Sequence, residues 1–143
     1  MMKDVVISIN STFAFDEGEE QRMEFTTDGY YFFEDQVGFL SYEESEVTGL
    51  EGTRTSMFIM PDQVVVDREG TVTSRMVFKE GLKSAFQYAT PFGNATMGID
   101  TRRIAQSMGS DGGSVEIDYV VNMEHMVASR NRFEITVREI GAQ

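Results

Sequence analysis

The stretch Asp111-Gly-Gly-Ser-Val-Glu-Ile-Asp-Tyr-Val-Val-Asn-Met123 decides the fold. Val115, Ile117, Tyr119, Val121 and Met123 recur at every second position. That period sends alternate side chains to opposite faces of an extended chain, whereas a helix repeats near every ~3.6 residues. Asp111-Gly-Gly113 ahead of it is hairpin chemistry, because glycine adopts positive φ without a steric penalty. Phe133, Ile135 and Val137 answer with the same period from a later strand.

Working outward, the alternation continues to both ends. Val5, Ile7, Ile9, Phe13 and Phe15 share a face, and Asp16-Glu-Gly-Glu-Glu20 breaks the pattern as a turn. Met23, Phe25, Tyr31 and Phe33 form the next face, then a short strand Val37–Tyr42 runs into the acidic loop Glu43-Glu-Ser-Glu46. Thr53–Met60 and Gln63–Asp67 flank a turn at Pro61-Asp62, and Arg68-Glu-Gly70 reads as another tight turn. Val72, Ser74, Met76 and Phe78 then align. Ser84–Thr90 has a faint helical stripe, but Gly81 and Pro91 leave too little room, so it reads as a strand. Thr90-Pro-Phe-Gly93 is a corner that Phe92 pins to the core, and Thr96–Thr101 is a further strand.

This makes an all-β chain of about eight to ten antiparallel strands joined by tight turns. The expected architecture is one domain, residues 1–143, built as an up-and-down meander barrel, since closure leaves no unpaired edge. Ser11, Thr27, Ser41, Thr55 and Ser74 interrupt the expected inward series. Met23, Met76 and Met123 also fall on it, and methionine adapts to irregular space. A barrel of about eight strands fills its interior with side chains or holds one small ligand. The pattern leaves both outcomes open.

Composition narrows the function. A hydrophobic content of 41% with 11% aromatic residues supports a packed core, and zero cysteines exclude disulfides and thiolate metal ligation. No apolar run approaches the ~18 residues of a spanning helix, and Met1-Met-Lys-Asp-Val-Val6 lacks secretory-signal features. A cytoplasmic protein without a membrane partner is the expectation. The net charge is −12. Residues 1–52 hold 13 acidic and 2 basic side chains, against 11 and 10 in residues 53–143. Such a field repels phosphate backbones, which argues against nucleic acid as a partner.

Several segments recur in a characteristic order: Gly29-Tyr-Tyr31, Leu40-Ser-Tyr-Glu-Glu44, Arg68-Glu-Gly-Thr-Val72, Phe78-Lys-Glu-Gly81, and Tyr88 through Phe92-Gly93 to Thr101 and Ile104. Together they resemble the YwiB-like family of small bacterial proteins, a domain of unknown function. The resemblance implies a calycin-type, lipocalin-like barrel and a cytoplasmic bacterial protein, and it brings no catalytic or binding residues with it. Hallmarks of better-known calycins are absent. There is no tryptophan for the lipocalin Gly-x-Trp, no room for a two-helix lid, and no Arg-x-Tyr clamp on the last strand.

Catalytic signatures are missing as well. His125 is the sole histidine, and neither Gly-x-Ser-x-Gly nor His-Glu-x-x-His occurs. The acidic turns do not follow the spacing of a Ca²⁺ loop, so no metal and no cofactor is expected. Arg102-Arg103 stands out instead. Strand alternation sends the two guanidiniums to opposite faces, and the inward one must meet a carboxylate of this chain, such as Asp100 or Glu116, or of a ligand. Tyr31, Tyr88, Tyr119 and His125 are the accompanying ligand-contact candidates. The leading expectation is non-enzymatic binding of a small, partly apolar molecule in the barrel or at its mouth. The alternative is a protein-interaction or homodimerisation module using the acidic surface or exposed Tyr30, Phe32 and Phe58. An enzyme ranks last.

Overall fold

Period-two hydrophobicity is realised, among the described residues, as ten strands and no helix. The structure is a computed structural model that describes residues 2–14, 18–45, 50–91, 93–123 and 126–140, without the side chains of residues 88, 90, 123 and 126–128. The strands are β1 (Lys3–Ala14), β2 (Gln21–Glu34), β3 (Val37–Glu43), β4 (Thr53–Ile59) and β5 (Val64–Gly70). They continue with β6 (Ser74–Phe78), β7 (Lys83–Thr90), β8 (Gly93–Gly109), β9 (Gly112–Met123) and β10 (Met126–Glu139). Phe15, Asp16, Glu46, Phe92 and His125 lie outside the described residues.

All pairings are antiparallel, in the order β6-β5-β4-β3-β2-β1-β10-β9-β8-β7. Every neighbour but one is a sequence neighbour. The exception joins β1 to β10, with Ile7 opposite Val137 and Ile9 opposite Ile135, and carries the meander round towards closure. The sheet's two ends, β6 and β7, meet at a single bridge. There Thr73 N–H donates to Ala89 O (3.0 Å) and Ala89 N–H to Thr73 O (2.9 Å). Between this bridge and the Lys79–Leu82 turn, no backbone ladder joins the two strands among the described residues. Ser84 Oγ donates across the seam to Val77 O (3.3 Å).

The inward faces make one contiguous core from Val5, Ile7, Leu40, Ile59, Phe78 and Ile117 to Val137. Fully burying each such side chain contributes about 1.5–3 kcal/mol. Gly29 lets β2 run tightly between its neighbours, because a Cβ there would strike Ile7 Cδ1 and the Ser41 carbonyl.

Three expectations change. Ser41 faces outward, since it stands between inward Leu40 and Tyr42, and its Oγ accepts from Arg54 Nη1 (2.9 Å). Arg68-Glu-Gly70 is the end of β5 rather than a turn. Gly70, at φ +136°, allows close approach to Gly52 on β4's entry loop, and the chain reverses only at Thr71-Val72. Finally, β8 does not stop at Thr101 but runs 17 residues to Gly109.

Candidate functional site

That long strand decides the fate of the arginine pair. Thr101 pairs with Tyr119 and Arg103 with Asp118, so one extra residue, a β-bulge, sits in β8. The bulge inverts the alternation: Ile99 and Thr101 are buried before it, while Ile104 and Met108 pack against the core after it. Arg102 and Arg103 therefore both face outward, and neither enters the barrel. Arg102 Nη2 meets Asp100 (3.1 Å). Arg103 Nη1 meets Glu116 (2.8 Å) and Asp118 (3.8 Å), and Arg132 from β10 bonds both of the same carboxylates. Hydrogen bonding to Arg132, ahead of Arg103, holds the Glu116 carboxyl below its usual range.

Arg102 and Tyr119 do line one groove, of about 890 Å³, across the outer wall. Arg22, Arg130 and Arg132 share it with Glu20, Glu24, Asp118 and Glu134. Its charges offset one another and it lies open to water, where ion pairs contribute little.

The remaining candidates disperse. Tyr31 is fully buried at the other end of the barrel from the β3–β4 loop, where its hydroxyl donates to Gly109 O (2.7 Å). Burial raises its pKa to about 12. It braces the core and does not join the arginine pair. Tyr119 packs edge-on against Phe78 (4.8 Å) and Phe133 (6.0 Å) inside the barrel. Burial raises its pKa, and the charge of Arg68 partly opposes that rise. Tyr88 stands on β7 opposite Ala95, but its side chain, like all of His125, is outside the described residues.

Arg68 is the arginine that enters the barrel. It follows Val64 and Val66 on the inner face of β5, with Ser74 beside it on β6 and Thr55 on β4. Its Nε lies 4.0 Å from Glu44 Oε2, within ion-pair range but too far for a hydrogen bond. Nη1 approaches Met76 Sδ (3.7 Å). Glu44 is buried at the stem of the β3–β4 loop and accepts from the Thr55 hydroxyl and from Tyr42. Burial, then the negative charge of Glu44, drives the Tyr42 phenol well above its usual range.

Arg68 Nε and Ser74 Oγ are buried without any hydrogen-bond partner among the described residues. Leaving such groups unsatisfied costs about 1–3 kcal/mol each. Both residues line a cleft of about 460 Å³ at the β6–β7 seam. Phe86 supplies an apolar wall, and Ala85, Gln87 and Arg75 sit at its rim. Arg68 and Ser74 thus border a solvent-open cleft, while the Nε and Oγ atoms themselves are buried beneath its surface. Among the described residues, no group of three or more His, Asp or Glu side chains is placed to hold a metal ion.

The fold and its relatives agree. Residues 7–135 match the family described as a domain of unknown function, DUF1934. The chain belongs to the DUF1934 family. Within reach of this DUF1934 chain is the uncharacterized beta-barrel protein YwiB of Bacillus subtilis (strain 168), 27% identical over 104 residues. That alignment covers 73% of this chain and 72% of the relative. The crystal structure of ywiB protein from Bacillus subtilis superposes with a TM-score of 0.85 at 22% identity, over 96% of this chain and 92% of the other. The DUF1934 chain thus shares a barrel whose function is uncharacterised.

Proposed function

We propose that this protein is a non-enzymatic binding barrel, taking one small, partly apolar molecule at the β6–β7 seam. The supporting observation is a pair of buried, unsatisfied groups, Arg68 Nε and Ser74 Oγ, on two residues that line a cleft also bordered by Phe86. A packed barrel needs neither the opening nor the unpaired donors. The core away from the cleft is closed by fully buried Tyr31, Phe78 and Ile117, so the ligand of this reading engages the cleft alone.

Titration with the uncharged fluorophore prodan, whose single ketone sits on an apolar ring system, tests this. Saturable one-to-one binding is expected, blocked by Ala85→Trp at the exposed rim. Absent binding, or binding indifferent to that plug, contradicts the proposal.

A second reading has its own support. Phe32, Phe39, Phe58, Val65 and Val77 are successive cross-strand partners on the outer face of β2 to β6. The rings of Phe39 and Phe58 meet at 5.1 Å, tilted by 54°. The charges beside this apolar row are paired, Arg54 with Glu43 and Arg75 with Asp67. Of the residues expected to be exposed only Tyr30 is; Phe32 and Phe58, like Phe39 and Val77, are half-buried and Val65 is buried. It is thus a half-covered, charge-neutral strip on a chain of net charge −12 that a second copy of that chain would suit. Sedimentation equilibrium of the wild type against Phe58→Ser tests it: dimer lost in the variant supports the reading, and a wild-type monomer removes it.

A further inference from the structure

Resting on the seam as a binding site, we infer that its ligand presents an uncharged hydrogen-bond acceptor, a ketone, ester or amide carbonyl, to Arg68 and Ser74. The unpartnered Arg68 Nε–H is a donor, and a guanidinium has no acceptor atom, so the group it meets must accept. That excludes an ammonium head. A carboxylate accepts as well, but the charge of Arg68 is already offset by buried Glu44, 4.0 Å away and held by Thr55 and Tyr42. The cleft lining adds Asp67 and Glu69 against a single further cation, Arg75, which is itself paired with Asp67 at 3.6 Å. An anionic head would therefore sit among three carboxylates with two arginines to answer them. A neutral carbonyl takes the free Nε–H and the Ser74 hydroxyl without adding charge to a partly dry site. The apolar remainder of the molecule then lies on Phe86, which is 8% exposed, and near Met76.

Glu44 thereby becomes the residue that sets specificity without touching the ligand's head. It occupies the charge of Arg68 while leaving its Nε–H free. Removing that charge should turn the site from carbonyl-binding to carboxylate-binding.

Two probes of one scaffold test this: the dimethylaminonaphthalene ketone prodan, and the matching dimethylaminonaphthoate, which differ only in the head. Fluorescence titration of the wild type should favour the ketone by about tenfold, the scale of a modest charge-burial penalty that only the naphthoate meets. Glu44→Gln, verified as folded by its thermal transition, should reverse that order. Arg68→Gln should weaken the ketone about tenfold without any gain for the naphthoate. Tighter naphthoate binding by the wild type overturns the carbonyl inference while leaving the seam as a binding site. A ketone preference that Glu44→Gln does not move overturns the role of Glu44. Failure of both probes to bind removes the binding site itself. The wild-type comparison alone is decisive where a variant does not fold.

Discussion

Arg103 and Arg68 carry the same guanidinium in opposite settings. On the outer wall, Arg103 and Arg132 share Glu116 and Asp118 in an exposed lattice where each charge has more than one partner. Inside, Arg68 has one carboxylate at 4.0 Å, a sulfur contact and a buried Nε–H with no hydrogen-bond partner among the described residues. Water screens the first arrangement and makes it nearly neutral for stability. The second is partly desolvated, so each missing partner is felt. What sets the inner arginine apart from the outer ones is unsaturation together with burial, not the presence of charge.

The sharpest way to break that contrast is to delete the inner cation. Arg68→Met should lower unfolding free energy by about 3 kcal/mol, because Glu44 is left buried without its counter-charge. Urea denaturation measures it, and a loss below about 1 kcal/mol would place Arg68 with the surface arginines. Thr55→Val removes a donor to the same carboxylate and should cost about 2 kcal/mol, read from the denaturation midpoint at constant slope. Ser74→Ala should go the other way. Its hydroxyl has no partner among the described residues, so the unliganded protein should gain about 1 kcal/mol while prodan binding should weaken. A destabilised Ser74→Ala protein would mean that the hydroxyl is bonded after all.

Smaller effects belong to the outer wall. Arg102→Ala and Arg103→Ala should each stay within about 0.5 kcal/mol of wild type and leave probe affinity unchanged. Weakened prodan binding in either variant would move the site to the outer groove. The smallest effect concerns pH. Glu116 has a folded-state pKa below its unfolded value, so its contribution is present above about pH 4.3 and fades as pH falls through the folded pKa. The stability difference between wild type and Glu116→Gln should thus shrink in acid, and a difference constant with pH contradicts the ion-pair account.

How much of this was legible in sequence follows from what controls each feature. Strand identity is local, so Val115, Ile117 and the hairpin at Asp111-Gly-Gly113 declare the barrel at once. The register within β8 is not local. A single bulged residue near Arg102 reverses which side chains point inward, and nothing in Thr101-Arg-Arg103 announces it. Arg68 was hidden by Gly70, which reads as a turn although it serves close strand approach, so the alternation Val64, Val66, Arg68 was cut short by one step. Following that alternation through the glycine would have placed Arg68 inside the barrel. Its lack of partners depends on four strands meeting and on a seam left open, and only the assembled fold exposes it.

The central claim is that the inner arginine, not the outer pair, receives the ligand. Arginine Nε–H correlations in a ¹⁵N-labelled sample, assigned with Arg68→Lys, Arg102→Lys and Arg103→Lys, follow each guanidinium separately as prodan is added. The account predicts that the Arg68 signal moves saturably while those of Arg102 and Arg103 stay in place. A still Arg68 signal, with movement at Arg102 or Arg103 instead, would contradict it.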